Sequence, residues 1–220
     1  MKTIDLSHVI TSEMPVYPGT EKPLIQQANT HAAEGFAEKK LTFYSHIGTH
    51  IDAPAHILAG EATLDELGVD QFIGNGICIS VKQSLISASS LEKQLTNQKN
   101  IDFVLFSTGW SKYWGSNEYF SGYPVLTDEA ARMLCSLGLK GIGFDTISAD
   151  SEGSADFPIH KILLKKMIVI ENLTNLEPLI NQVFVFCCLP LKIKDGDGSP
   201  VRAVGMVNAK SIIKYLSKRK

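Results

Sequence analysis

The apolar positions of this chain gather in short runs separated by polar, turn-forming stretches. Residues 77–81, 101–106, 141–144, 168–171 and 183–188 are such runs and read as strands, with Val183-Phe184-Val185-Phe186 the mark of a buried one. Helix signals lie between several of them. Thr127 ahead of Asp128 and Glu129 is an N-terminal cap with acids in the first turn, and Gly138 stands where that helix would end. Residues 89–97 and the segment after Pro158 are further helix candidates. Strands alternating with helices indicate an α/β fold. The N-terminal third is punctuated by Pro and Gly with few helix signals, and reads as antiparallel strands and loops. With no internal repeat and no low-complexity linker, one compact domain is the simplest organisation.

Composition narrows the function classes. At 220 residues, 44% hydrophobic and 20% charged, the chain resembles an ordinary soluble globular protein with a sizeable core. A net charge of -2 gives no reason to expect nucleic acid or an anionic membrane as partner. The basic residues from Lys214 to Lys220 read as a solvated helix end. No apolar run approaches the roughly 20 residues needed to span a bilayer. The segment from Met1 to His8 lacks the apolar core of a signal peptide, so a cytoplasmic location is expected. Cys78, Cys135, Cys187 and Cys188 form no CxxC pair. Cys187 and Cys188 are adjacent on a strand and point to opposite faces, so reduced thiols are expected.

The densest chemistry is the run Tyr44-Ser45-His46-Ile47-Gly48-Thr49-His50-Ile51-Asp52-Ala53-Pro54-Ala55-His56. Imidazole and carboxylate are the usual ligands of zinc and similar divalent metals, and both gain little from burial unless something satisfies them. His46, His50, Asp52 and His56 share one parity, so an extended segment would project them to one face. A straight strand would set His46 and His50 roughly 13 Å apart, too far for one ion. The chain must bend between them, and Gly48 permits it. A helix is disfavoured by Gly48, by the β-branched Ile47, Thr49 and Ile51, and by Pro54. The segment therefore reads as a bent strand or loop with convergent side chains.

Other candidates are weaker alone. Glu171 ends a strand-like run, where α/β proteins place site residues, but on spacing alone a solvated turn residue is the plainer reading. His160 follows Pro158 at a helix start and could be a surface cap. Gly196-Asp197-Gly198-Ser199-Pro200 is turn chemistry and lacks the Gly-Lys-Ser/Thr of a phosphate loop. The segment Ser107-Thr108-Gly109-Trp110 and the aromatic stretch from Tyr113 to Tyr123 could wall a pocket, although aromatics more often pack cores. His8 and His31 read as structural or exposed.

The segment His46-x-Gly48-Thr49-His50-x-Asp52-x-Pro54-x-His56 resembles the HxGTHxDxPxH signature of the cyclase-like metal-dependent hydrolases, a family that includes bacterial kynurenine formamidase and isatin hydrolase. Asp5-Leu6-Ser7 resembles the family's opening strand and Pro15-Val16-Tyr17-Pro18-Gly19 its early substrate-side loop. Ser107 to Trp110 resembles a mid-chain strand and turn. The pairing of His160 with Glu171 resembles the second half of the metal site. Pro190-Leu191-Lys192-Ile193 and Asp197 to Ala203 resemble the closing segment. The resemblance implies a swivelling β/β/α fold of the α/β class, with residues 1–220 as one cyclase/kynurenine formamidase-like domain. By position, it implies that His46, His50 and Asp52 bind one divalent ion, that Asp52 bridges to a second held by His160 and Glu171, and that His56 is the general acid/base. Zinc and manganese both suit such a set. Family members are commonly homodimers or homotetramers. Kynurenine formamidases carry Trp where this chain has Tyr17, a residue that can still stack on a ring and adds a hydroxyl.

The resemblance thus implies metal-dependent hydrolysis of an amide-type bond in a small substrate. N-formylkynurenine and a cyclic amide such as isatin are the alternatives. Two readings from other classes stand beside it: a structural metal site, and a non-catalytic metal-containing protein that binds a small molecule. Structural zinc sites favour cysteine-rich tetrahedra, and here no thiolate belongs to the cluster.

Overall fold

The computed structural model describes residues 1–96 and 98–208. Its strands are, in chain order, β1 (Lys2–Asp5), β2 (Leu24–Asn29), β3 (Glu38–Thr42), β4 (His50–Asp52), β5 (Ile73–Ser80), β6 (Leu85–Ile86) and β7 (Phe103–Ser107). There follow β8 (Val125–Leu126), β9 (Gly141–Phe144), β10 (Ile168–Glu171), β11 (Val183–Cys187), β12 (Gly198–Pro200) and β13 (Val204–Val207). The helices of the described residues, α1 (His31–Glu34), α2 (Ala88–Leu95), α3 (Asp128–Ser136) and α4 (Pro158–Leu163), are short.

Nine strands form one mixed sheet in the order β1-β13-β11-β5-β7-β9-β10-β4-β12. Its centre, β5-β7-β9-β10, is parallel and both wings are antiparallel. Parallel neighbours require crossovers, and α2, α3 and α4 lie in these connections. The sheet curls, so that Ser7 just beyond β1 bridges Leu173 just beyond β10. The period-2 alternation of strands splits the core in two. Ile77, Ile79, Val104, Phe106, Ile142 and Val169 pack under α2, α3 and α4. Phe103, Leu105, Ile168, Ile170, Phe184 and Phe186 fill the inside of the curl with Leu6 and Ile51.

The α/β fold of one domain with a curled mixed sheet and few helices agrees with the pattern read from the sequence. Thr127 caps α3 as expected, its side chain accepting from the Ala130 N–H. β9 and β10 have the expected bounds. β5 begins earlier than its apolar run, at Ile73, because Gly74 and Gly76 interrupt the pattern without ending the strand. Gly198–Pro200 of the supposed turn is strand β12, since it pairs along β4. β2 and β3 form a separate hairpin whose residues are almost all exposed. The four cysteines are free. The basic residues from Lys214 to Lys220, like Asn97 at the end of the second helix candidate, lie outside the described residues. Among the described residues, no helix is long and apolar enough to cross a membrane.

Candidate metal centre

Gly48 sits at φ +57°, a left-handed conformation open to glycine, and turns the chain between the first two histidines. The rings of His46 and His50 consequently lie 5.2 Å apart, not at the spacing of a straight strand. In β4 the alternation sends Ile51 into the curl and His50 and Asp52 to the opposite face. Register then supplies the partners. Glu171 pairs with His50 across β10, and Gly198 pairs with Asp52 across β12. Pro54 opens a short 3₁₀ turn that ends at His56, whose ring lies 3.8 Å from that of His46. His160 enters from α4.

The other expected metal ligands, His46, His50, His160 and Glu171, together with His56, meet around Asp52. Its Oδ1 lies 2.7 Å from His46 Nδ1 and 3.3 Å from His50 Nε2, and its Oδ2 lies 3.5 Å from His160 Nε2. Glu171 Oε1 is 3.1 Å from His160 Nε2, and Oε2 is 3.6 Å from His50 Nε2. Two sets of donor atoms, His46/Asp52/His56 and His50/Asp52/Glu171, each fall within 4.8 Å of one another. His160 and Glu171 are buried, which removes the surface-cap and solvated-turn readings. Asp52 is buried, yet its Oδ2 has no hydrogen-bond partner among the described residues. A buried carboxylate oxygen is costly to leave unsatisfied. Orphaned among imidazoles and a second carboxylate, it fits a divalent metal of mixed nitrogen and oxygen preference.

Three residues not anticipated from the sequence hold this set in place. Asp150 accepts from the backbone N–H of Ile159 (2.8 Å) and His160 (3.1 Å), and from His160 Nδ1 (2.6 Å), turning Nε2 toward Asp52 and Glu171. A carboxylate behind the distal nitrogen is the usual support of a metal-binding histidine. Asn172 donates from Nδ2 to the Gly48 carbonyl at 2.9 Å, the carbonyl to which His50 Nδ1 also donates at 2.9 Å. Asp197 lies 3.0 Å from His46 Nε2 and 3.7 Å from His56 Nδ1. Glu171 is itself held by the Ala149 N–H at 2.8 Å.

The electrostatics follow from this crowd of acids. Burial opposes charge on His46, but hydrogen bonds to Asp197 and Asp52 prevail and raise it to about 10. The same contest at His160, with Asp150, Asp52 and Glu171 as partners, raises it well above the usual imidazole range. Burial works against ionised Asp52, yet His160, His46 and His50 hold it well below the usual carboxylate range. Burial dominates at His56, pushing it down to about 4, so this imidazole is neutral at pH 7. The field that draws protons onto His46 and His160 is one that draws a cation.

A cleft of about 160 Å³ opens onto the centre, lined by His46, His50, His56, His160 and Glu171. Tyr17, Val16, Ile147 and Phe157 line it as well, which brings the Tyr17 loop beside the histidines. The aromatic stretch packs instead as a core of Tyr119 and Tyr123 with Trp110, Tyr113 and Trp114. His8 stacks on Trp114 at 3.9 Å, and His31 is exposed on α1.

The family model described as a putative cyclase matches residues 4–151. The chain belongs to the cyclase family. Among curated relatives of this cyclase-family protein, the kynurenine formamidase of Bacillus thuringiensis is 30% identical over 210 residues, 93% of this chain and 98% of that one. An uncharacterized protein of Methanocaldococcus jannaschii is 31% identical over 94% of this chain and all of its own length. Among solved structures, isatin hydrolase A from Labrenzia aggregata superposes with a TM-score of 0.85 at 25% identity, covering 94% of this chain and 93% of that one. A structure described as a potential metal-dependent hydrolase with cyclase activity gives 0.77 at 25% identity, over 93% of this chain and 96% of the other.

Proposed function

We propose that this protein is a metal-dependent amide hydrolase whose substrate is an aryl formamide of the N-formylkynurenine type. The observation that carries the reading is the convergence of His46, His50, His56, His160 and Glu171 on buried Asp52, whose Oδ2 has no hydrogen-bond partner among the described residues, beside a cleft. In this reading His46, His50 and Asp52 would hold one ion, and His160 and Glu171, with Asp52, would hold a second. Zinc and manganese both match the donors. When bound, the metal supplies Lewis acidity, activating water and polarising the substrate carbonyl.

The chain's own residues do the rest. Asp150 and the Gly48 carbonyl keep His160 and His50 in the tautomers that present Nε2 to the centre. His56 turns Nδ1 toward Asp197, which leaves Nε2 to take a proton from the attacking water and deliver it to the leaving nitrogen. Its neutrality suits the first of these steps. Tyr17 and Phe157 offer aromatic faces to the aryl group and, with Val16 and Ile147, keep the cleft poor in water. We further propose a cytoplasmic homodimer or homotetramer. Leu24, Phe36, Leu41 and Tyr44, exposed on and beside the hairpin, support contact between copies.

A second substrate, a cyclic amide of the isatin type, is favoured by the likeness to isatin hydrolase and by Tyr17 in place of the Trp of kynurenine formamidases. Turnover of N-formylkynurenine and of isatin by zinc- or manganese-loaded protein separates the two. The proposal expects kynurenine and formate from the first at the higher kcat/KM. Faster opening of isatin would replace the formamide assignment, and turnover of neither by metal-loaded protein would remove both substrates.

A further inference from the structure

We infer that Tyr119 is a positioning residue of the metal centre, acting through Asn172 on His50. Tyr119 is far from the His46–His56 segment in sequence and sits in a short 3₁₀ turn, Asn117–Phe120, fully buried. Its ring is packed edge-on against Trp114 at 5.1 Å, and its carbonyl accepts the Trp110 indole N–H at 3.1 Å. The ring is therefore fixed, and its hydroxyl donates to Asn172 Oδ1 at 2.7 Å.

The direction of each hydrogen bond can be deduced. The Gly48 carbonyl can only accept, so Asn172 must turn Nδ2 toward it, at 2.9 Å. That orientation leaves Oδ1 in need of a donor, and the Tyr119 hydroxyl is the one supplied. Burial holds the phenol well above its usual range, so it stays protonated. The same Gly48 carbonyl receives His50 Nδ1–H at 2.9 Å, which directs His50 Nε2 to Asp52 and Glu171. One carbonyl thus ties together the amide that Tyr119 orients and the ring that faces the metal. The joint is further closed by Thr49, which donates to the Asn172 carbonyl at 2.6 Å. Without the hydroxyl, Asn172 Oδ1 would be buried with no donor, and the amide would leave Gly48 to find one. The inference rests on His50 being a metal ligand.

The test is zinc affinity, measured by competition with a chromophoric chelator on folded protein. Tyr119→Phe keeps the ring and removes the hydroxyl; loss of such a supporting partner lowers metal affinity by about 10-fold or more. Asn172→Gly suits the residue's φ of +57° and removes the amide, with the same loss expected. The double variant should bind zinc no more weakly than Asn172→Gly alone, because Tyr119 acts through that amide. Tyr113→Leu loosens the same aromatic core, where Tyr113 packs on Trp110 at 4.9 Å, and should keep wild-type affinity. Wild-type affinity in Tyr119→Phe, additive losses in the double variant, or an equal loss in Tyr113→Leu would each overturn the inference. If Tyr119→Phe does not fold, wild-type affinity in Asn172→Gly overturns it by itself. His50→Ala tests the reading beneath: undiminished zinc binding there would remove His50 from the ligand set, whatever Tyr119 does.

Discussion

Replacing Gly198 by alanine should damage the metal centre without adding or removing a polar group. Gly198 lies in β12 opposite Asp52, directly under the His46 ring. A Cβ placed there would fall 2.6 Å from His46 Nε2 and 2.9 Å from Nδ1, and closer still to Cε1. Heavy atoms settle at about 3.5–4.0 Å, so roughly 1 Å of movement is demanded. The backbone cannot supply it, because β12 is pinned to β4 and the Asp197 carbonyl receives the Ala53 N–H at 2.9 Å. The His46 ring must move, losing its 2.7 Å approach to Asp52 or its 3.0 Å approach to Asp197. Overpacking of this kind destabilises by about 1–3 kcal/mol, a Tm lower by roughly 3–10 °C for a chain of this size. Function should suffer more, since a 1 Å displacement at a reacting centre can lower rates by ~100-fold. Differential scanning calorimetry, chelator competition and kcat/KM on the same preparation read all three. A variant with wild-type metal affinity and activity would mean that His46 is free to move or is no ligand, and the steric reasoning would be wrong.

Further expectations follow from single residues. Asp52→Ala should lower metal affinity by more than about 100-fold at both positions, because one carboxylate is shared; elemental analysis showing one ion fully retained would refute the bridge. His56→Ala should abolish turnover while metal content stays near wild type, and loss of metal together with activity would make His56 a ligand. His8, pushed down to about 4 by burial, is neutral in the fold and takes up a proton on unfolding. Stability from this group is intact above about 6.5, the unfolded value, and drains away as pH falls toward 4. Reduced for its partial exposure, the loss is roughly 1–2 kcal/mol. His8→Phe, which keeps the stack on Trp114, should therefore lose less Tm between pH 7.5 and 5 than wild type; an equal loss would show that His8 carries none of the acid sensitivity.

Much of the centre was legible because its first half is local. His46, His50, Asp52 and His56 lie in one segment, and Gly48 and Pro54 announce how it bends. The strands of the central sheet were legible for the same reason, each being a short apolar run. His160 and Glu171 carried a weak signal alone, since a histidine near a helix start and a glutamate at a strand end have many solvated counterparts. Asp150 and Asn172 were not read at all, and Asp197 only as part of a turn and of the closing segment. Their roles exist only after register and crossover have formed: Asp197 meets His46 across 151 residues, and Asn172 meets Gly48 across 124. The one local sign for Asp197 was an acid between two glycines, which turn chemistry explains equally well until β12 is seen to pair with β4.

The most direct test is to strip the protein with chelator, then titrate zinc or manganese back while measuring bound metal and N-formylkynurenine turnover on the same samples. Metal-dependent amide hydrolysis at a shared-carboxylate centre predicts no turnover in stripped protein and activity that rises as two ions per chain are taken up. Full activity in stripped protein, or stoichiometric metal uptake with no hydrolysis of either formamide or cyclic amide, would contradict it.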